Sequence, residues 1–221
     1  MSESSIDSGK TVLLKVGGSL LKLPDVADRL LALIDNHGLQ NVLVLVGGGE
    51  AADLVRCWDR RFHLSDDAAH VLAVRAMSLN ACLLSTQHKR FELTGTVPPP
   101  QSAKTPSQNA RIAVLDAALV LAALEAEHPP LARSWNVTSD SIAAWIAACC
   151  RLPQLWLIKS IDLPIDLLTS HASAQITKSS QATTLSNQTL VDSAFPQYSR
   201  GVAHVSWCNL NCLAPAVFRI W

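Results

Sequence analysis

The sequence predicts an α/β protein, a three-layer αβα sandwich built on a mostly parallel central sheet. Short apolar, β-branched runs alternate with segments whose apolar residues recur at helical spacing. The first two of those runs each stop at a cluster of glycines. The 221-residue chain is also 49% hydrophobic against 16% charged, enough apolar surface for one large core. Parallel strands with helices on both faces satisfy such an alternation.

TVLLKV (residues 11–16) reads as a buried strand ending at Gly17 and Gly18. Pro24 and Asp25 open a helix with Val26, Leu30, Leu33 and Ile34 on one face, which residues 36–38 end. NVLVLV (41–46) is a second buried strand, closed by Gly47, Gly48 and Gly49. A helix with Ala51, Leu54, Val55 and Trp58 at i, i+3, i+4 and i+7 follows at once. Ser65 and Asp66 can cap a third helix, which carries Val71, Leu72, Met77, Leu79 and Leu83. Residues 94–109 (TGTVPPPQSAKTPSQN), polar and rich in proline, read as an exposed loop, either a lid or binding loop or a tolerated insertion. Residues 111–115 suit a strand and 117–126 a helix that stops before Pro129. Residues 141–150 are apolar nearly all round, hence a buried helix, and 155–158 a strand. Residues 165–188 are Ser/Thr-rich and poorly patterned, and 202–207 and 217–221 supply the last strands. Residues 1–10 read as a disordered tail before a single domain with two lobes, 11–150 and 151–221.

Composition excludes several classes of partner. Eighteen basic residues balance eighteen acidic ones, whereas nucleic-acid binders usually carry a basic stripe. No apolar run reaches the ~18 residues of a membrane span, and the polar start lacks the features of a secretion signal. The six cysteines form no zinc-type CxxC pairs, and Cys208 and Cys212 are expected to be reduced thiols. A soluble, cytoplasmic protein is expected.

Five of the nine glycines fall in the clusters at 17–18 and 47–49, each at the carboxyl end of a strand, where open α/β sheets place ligands. Consecutive glycines let backbone N–H groups converge on a phosphate, although two tight strand–helix turns would use them too. Lys15 and Lys159 end apolar strands, where an ammonium costs desolvation unless it faces a cleft or an anion; snorkelling or an internal salt bridge is the structural alternative. Asn136, Thr138, Ser139 and Asp140 cluster beside Trp135 just before the buried helix. Ser139 and Asp140 could simply cap it; the cluster as a whole suggests a ligand. There is no GxxxxGK[ST] motif. Gly47-x-Gly49-x-x-Ala52 matches the dinucleotide fingerprint, but Asp66 and Asp67, at about the distance of its acidic partner, sit at a helix start. His70 and Met77 share nearly the same face of the third helix, as core residues or, for His70, as an acceptor contact.

Taken together, Lys15-x-Gly17-Gly18-Ser19, the triplet at 47–49, Asn136-x-x-x-Asp140 and a strand ending in Lys159 resemble the amino acid kinase family, from about residue 11 to 162. Within it, SWNVTSDSIAAWIA (134–147), LIKSID (157–162) and VDSAF (191–195) look most like the aminomethylfuran phosphate kinases of methanofuran biosynthesis. The resemblance implies the amino acid kinase fold, with acceptor binding in lobe 11–150 and nucleotide binding in the short lobe 151–221. It implies ATP and Mg2+ as cofactors, a small phosphorylated or carboxylated acceptor as partner, and a homo-oligomer. Lys15 would contact the transferring phosphoryl group, and Gly17, Gly18 and Ser19 would cradle the β- and γ-phosphates. Gly48 and Gly49 would hold the acceptor, Asn136 would orient it, and Thr138 and Ser139 would line its pocket. Asp140 would hold the lysines in register, Lys159 would reach the nucleotide phosphates, and Asp162 belongs to the nucleotide-side turn. No side chain of the motif is assigned as a metal ligand, and none is a general base, which suits phosphoryl transfer.

The sequence departs from the family in lacking a late GMxxK-type lysine. Lys159, Arg200 or Arg219 takes over that charge, or catalysis is impaired. Leu163 stands where relatives often have glycine, and Asp192 carries no assignable role. A non-catalytic nucleotide- or anion-binding protein and an NAD-dependent oxidoreductase stay open as alternatives.

Overall fold

In a computed structural model the described residues are 11–98, 112–164, 167, 177–212 and 214–221. Seven strands make one sheet: β1 (Val12–Val16), β2 (Val42–Val46), β3 (Phe91–Thr94), β4 (Ile112–Leu115), β5 (Gln154–Lys159), β6 (His204–Asn209) and β7 (Val217–Arg219). Their order is β3-β4-β2-β1-β5-β6-β7, parallel throughout except for the antiparallel edge strand β7. From β1 the chain builds outward through β2 to one edge, then returns to β1 and builds β5, β6 and β7 to the other. The crevice between the β1 and β5 ends is therefore the point where strand order reverses, the usual ligand site of an open α/β sheet.

Helices cover both faces. α1 (Val26–Asn36) buries Val26, Leu30, Leu33 and Ile34 with Val12, Leu14 and Val16 on one face. α4 (Ala117–Glu125), α5 (Ser139–Cys149) and α6 (Lys178–Asn187), with the short α7 (Phe195–Tyr198), pack on the other, around Leu13, Leu45, Leu155 and Leu157. α2 (Gly49–Phe62) and α3 (Asp66–Gln87) pack together beside the carboxyl end of β2. α3 gives Val74 and Met77 to one core and Ala81 and Leu84 to the other. It is long and apolar enough to cross a membrane by length and composition alone, yet those four residues pack into the protein.

Strand alternation has a direct chemical result. Lys15 lies two residues beyond Leu13, and Lys159 two beyond Leu157, so both lysines project to the face that α5 covers.

The expected elements form with shifted ends, and three differ more. β3 was not expected: FELT is four residues long and half exposed, without an apolar run to announce it. Residues 178–187 of the unpatterned stretch form α6, because Thr177 caps it by accepting from Ser180 N at 3.2 Å and Ala182 and Leu185 bury its inner face. α5 begins at Ser139 rather than 141, because its cap comes from elsewhere in the chain. Residues 1–10 and 99–109, read as tail and loop, lie outside the described residues.

Candidate active site

The sheet ladders continue past the strand ends, with Gly17 N after β1 donating to Ile158 O of β5 and Gly47 N after β2 donating to Val16 O of β1, each at 2.8 Å. The two glycine corners then touch. A Cβ at Gly18 would lie 2.2 Å from Gly49 N, and one at Gly49, whose φ is +47°, would lie 2.7 Å from Gly18 O. Only glycine permits this approach, which places both corners on one crevice. The second corner is fixed by Asn80, buried on α3, whose Nδ2 donates to Gly47 O at 2.8 Å and Gly48 O at 2.9 Å. Ser19 Oγ lies 3.1 Å from Ser160 Oγ, tying the ends of β1 and β5 together.

At the base of the crevice Asp140, in the first turn of α5, serves both lysines. Its Oδ1 is 3.0 Å from Lys15 Nζ, and its Oδ2 accepts from Lys159 Nζ at 2.8 Å. Lys15 is 4% exposed and Asp140 5%, so the charges sit in a low-dielectric setting. Burial pushes the Asp140 carboxyl up, but the Lys15 and Lys159 ammonium groups outweigh it and leave the pKa below its ordinary value. Lys159 also donates to Leu190 O at 2.9 Å and lies over the Trp207 ring. Burial and the nearby Lys15 charge lower its pKa to about 8, against the opposing pull of Asp140 and Asp192. Of the three candidates for the late lysine's charge, Lys159 is the one paired with Asp140. Arg219 is engaged with His204 on the antiparallel edge, and Arg200 is exposed in the turn after α7.

A cavity of about 190 Å³ opens from this base. Lys15, Asp140, Gly18, Gly48, Gly49, Thr138 and Ser139 form its polar end, and Ala69, Ala73, Val74, Met77, Trp135 and Ile142 its apolar walls. Ala52, Arg56, Asp66, His70, Ser134 and Val137 complete the lining. Trp135 is held by donating Nε1–H to Asp59 at 2.7 Å, and the Arg56 guanidinium lies 4.8 Å over its ring. Burial, then the Arg133 charge, holds the His70 imidazole below its ordinary pKa, so it is neutral near pH 7.

The site residues expected from sequence are not all brought to this cavity. Gly17 and Ser19 lie just behind the Gly18 corner. Lys159 reaches Asp140 from behind rather than from the cavity wall. Asp162 is exposed and accepts from Asn209 Nδ2 at 2.9 Å, tying the β5 and β6 ends. Asn136 is exposed and does not line the cavity; its main-chain carbonyl accepts from Ala194 N at 3.3 Å. Sequence reasoning missed Asn80 and left Asp192 without a role. An asparagine within the apolar run MSLNACLL was a signal for the first, since a buried amide needs partners.

Residues 10–163 match the model of the amino acid kinase family. The chain belongs to the amino acid kinase family. It is a kinase. The [5-(aminomethyl)furan-3-yl]methyl phosphate kinase of Methanocaldococcus jannaschii is 25% identical over 194 residues, covering 83% of this chain and 80% of that protein. Among solved structures, uridylate kinase from Archaeoglobus fulgidus superposes with a TM-score of 0.56 at 20% identity, over 88% of each chain. UMP kinase from Ureaplasma parvum gives 0.54 at 12% identity, over 90% of this chain and 88% of that one. These neighbours share the fold.

Proposed function

We propose that the protein transfers the γ-phosphoryl group of ATP to a small phosphorylated acceptor, making a phosphoanhydride. The reading rests on one observation above all: Asp140 bridging Lys15 and Lys159 at the base of a cavity where Gly18 meets Gly49. The acceptor's phosphate oxygen forms the new bond to the γ-phosphorus while the bond from that phosphorus to the β-bridging oxygen breaks, releasing ADP. Lys15, in the cavity wall, neutralises charge on the transferring group's equatorial oxygens. Gly17, Gly18 and Ser19 cradle the β- and γ-phosphates through backbone N–H groups. Lys159 adds positive charge from behind Asp140, acting through the field of a dry site rather than by contact. Thr138 and Ser139 line the acceptor's side, and Asn136 and Asp162 flank the site from outside the cavity. Asp140 is committed to two ammonium groups, so the Mg2+ that the family implies would be held by phosphate oxygens rather than by this carboxylate. Bound there, it would supply further charge neutralisation.

The acceptor we infer is [5-(aminomethyl)furan-3-yl]methyl phosphate or a close analogue, a step in cofactor biosynthesis for one-carbon metabolism. The amino-acid similarity to the M. jannaschii kinase supports this, and so does the cavity's chemistry. Gly48 and Gly49 at the start of α2 suit its phosphate, Met77, Val74 and Trp135 a flat apolar ring, and Asp66 an ammonium. Residues 11–150 form the acceptor lobe and 151–221 the nucleotide lobe of a soluble, cytoplasmic enzyme. Exposed Leu54, Trp58 and Phe62, four residues apart along α2, supply an apolar stripe for a homo-oligomer.

A coupled assay of ADP release with ATP and this acceptor tests the reading. Turnover that falls about 10²–10³-fold in Lys15→Ala is expected. Full activity of that variant overturns the mechanism, and no activity of the wild-type protein overturns the acceptor.

A further inference from the structure

α5 carries Asp140, so whatever fixes the start of α5 fixes the bridge between the lysines. Its N-cap residue, Thr138, makes no capping bond with its own side chain. The cap comes instead from Asp192, 54 residues further along the chain. Asp192 Oδ2 accepts from Thr138 N at 3.0 Å, Thr138 Oγ1 at 2.7 Å and Ser141 N at 3.1 Å. Its Oδ1 accepts from Ser141 Oγ and from Ala194 N. Two residues earlier, Leu190 O accepts from Lys159 Nζ. One short segment after α6 therefore grips both the helix that presents Asp140 and the lysine that Asp140 pairs with.

We propose that Asp192 is a positioning residue for phosphoryl transfer: it caps α5 from a distant segment and so holds Asp140 between Lys15 and Lys159. The inference rests on the kinase reading above for its consequence, not for its geometry. Five hydrogen bonds to one carboxylate exceed what an end-of-helix cap needs, since one or two backbone donors usually suffice. The same carboxylate occupies the positive end of α5 with a resident negative charge, so substrate phosphate is turned away from that helix and toward the uncapped start of α2 at Gly48 and Gly49. The charges facing Lys159 are Lys15 from β1, Asp140 from α5 and Asp192 from the segment after α6, with the Trp207 ring on β6. Asp192 supports the protonated form of Lys159 against burial and Lys15.

The test compares wild type with Asp192→Asn, which keeps the shape and removes the charge. Lysine-resolved NMR follows the titration of Lys159 without requiring turnover, and steady-state kinetics with ATP and [5-(aminomethyl)furan-3-yl]methyl phosphate gives kcat and KM across pH. In Asp192→Asn the Lys159 titration and the alkaline limb of kcat both move to lower pH by at least about 0.5. kcat falls about tenfold, while KM for ATP stays within about threefold. Ser141→Ala, which drops one bond and keeps the charge, lowers kcat severalfold without moving the limb. An Asp192→Asn protein with the wild-type titration and kcat overturns the proposal. If that variant does not fold, an unchanged kcat in Ser141→Ala overturns it. If the wild-type protein does not turn over this acceptor, the acceptor reading fails, while the titration still decides whether Asp192 governs Lys159.

Discussion

Replacing Asp140 with asparagine removes the carboxylate that serves both ammonium groups and leaves its shape in place. The oxygens lie 3.0 and 2.8 Å from the two Nζ atoms. At an effective dielectric of about 20, each pair at that distance represents roughly 6 kcal/mol of attraction before desolvation. Desolvation offsets most of it, and removing one partner of a buried pair costs about 3–5 kcal/mol. Lys159, already lowered to about 8, loses the upward pull of Asp140 and its pKa drops further, so it can shed its proton near pH 7 and the loss falls at the lower end, about 3 kcal/mol. That relief removes a positive charge from the site. Asp140→Asn is therefore expected to lower the urea midpoint at pH 7 by an amount matching about 3 kcal/mol, and kcat by about 10²–10³-fold. A variant within about 1 kcal/mol of wild type, with turnover within about threefold, would refute the claim that one carboxylate organises the two charges.

Gly18→Ala sets a Cβ 2.2 Å from the Gly49 backbone, and Gly49→Ala combines a 2.7 Å clash with a left-handed φ; each is expected to abolish ATP binding measured by calorimetry. Asn80→Ala strips two hydrogen bonds from the Gly47 and Gly48 carbonyls, costing about 2–3 kcal/mol by denaturant titration and raising the acceptor KM more than that for ATP. Because Lys159 acts as a cation and titrates at about 8 in the free enzyme, kcat/KM is expected to fall as pH rises through 8. Burial holds the Cys208 thiol at about 12 and Cys149 at about 11 against an ordinary 9. The unfolded chain gives up those protons first, so stability measured by denaturation falls as pH rises above 9, and less steeply in Cys208→Ala.

The strand-end lysines and glycine corners were legible because each breaks a local rule, an ammonium at the end of an apolar run or clustered glycines where one turn residue suffices. The αβα layering followed from period and alternation. That Asp140 serves the two lysines was expected only from the family resemblance, since its partners come from β1 and β5, and the cap of its helix from beyond α6 was not legible at all. Hydrogen bonds that span 54 residues leave no local trace. Asn136 sits in the motif but is exposed and outside the cavity lining, a placement that its spacing from Asp140 could not show. β3, short and at the sheet edge, buries too little to show a pattern.

A crystal structure with a non-hydrolysable ATP analogue most directly tests whether the crevice at Gly18 and Gly49 is the seat of phosphoryl transfer. The γ-phosphate is predicted there, with an oxygen at hydrogen-bond distance, about 2.8–3.2 Å, from Lys15 Nζ. A triphosphate bound elsewhere, with Lys15 still paired to Asp140 alone, would contradict it.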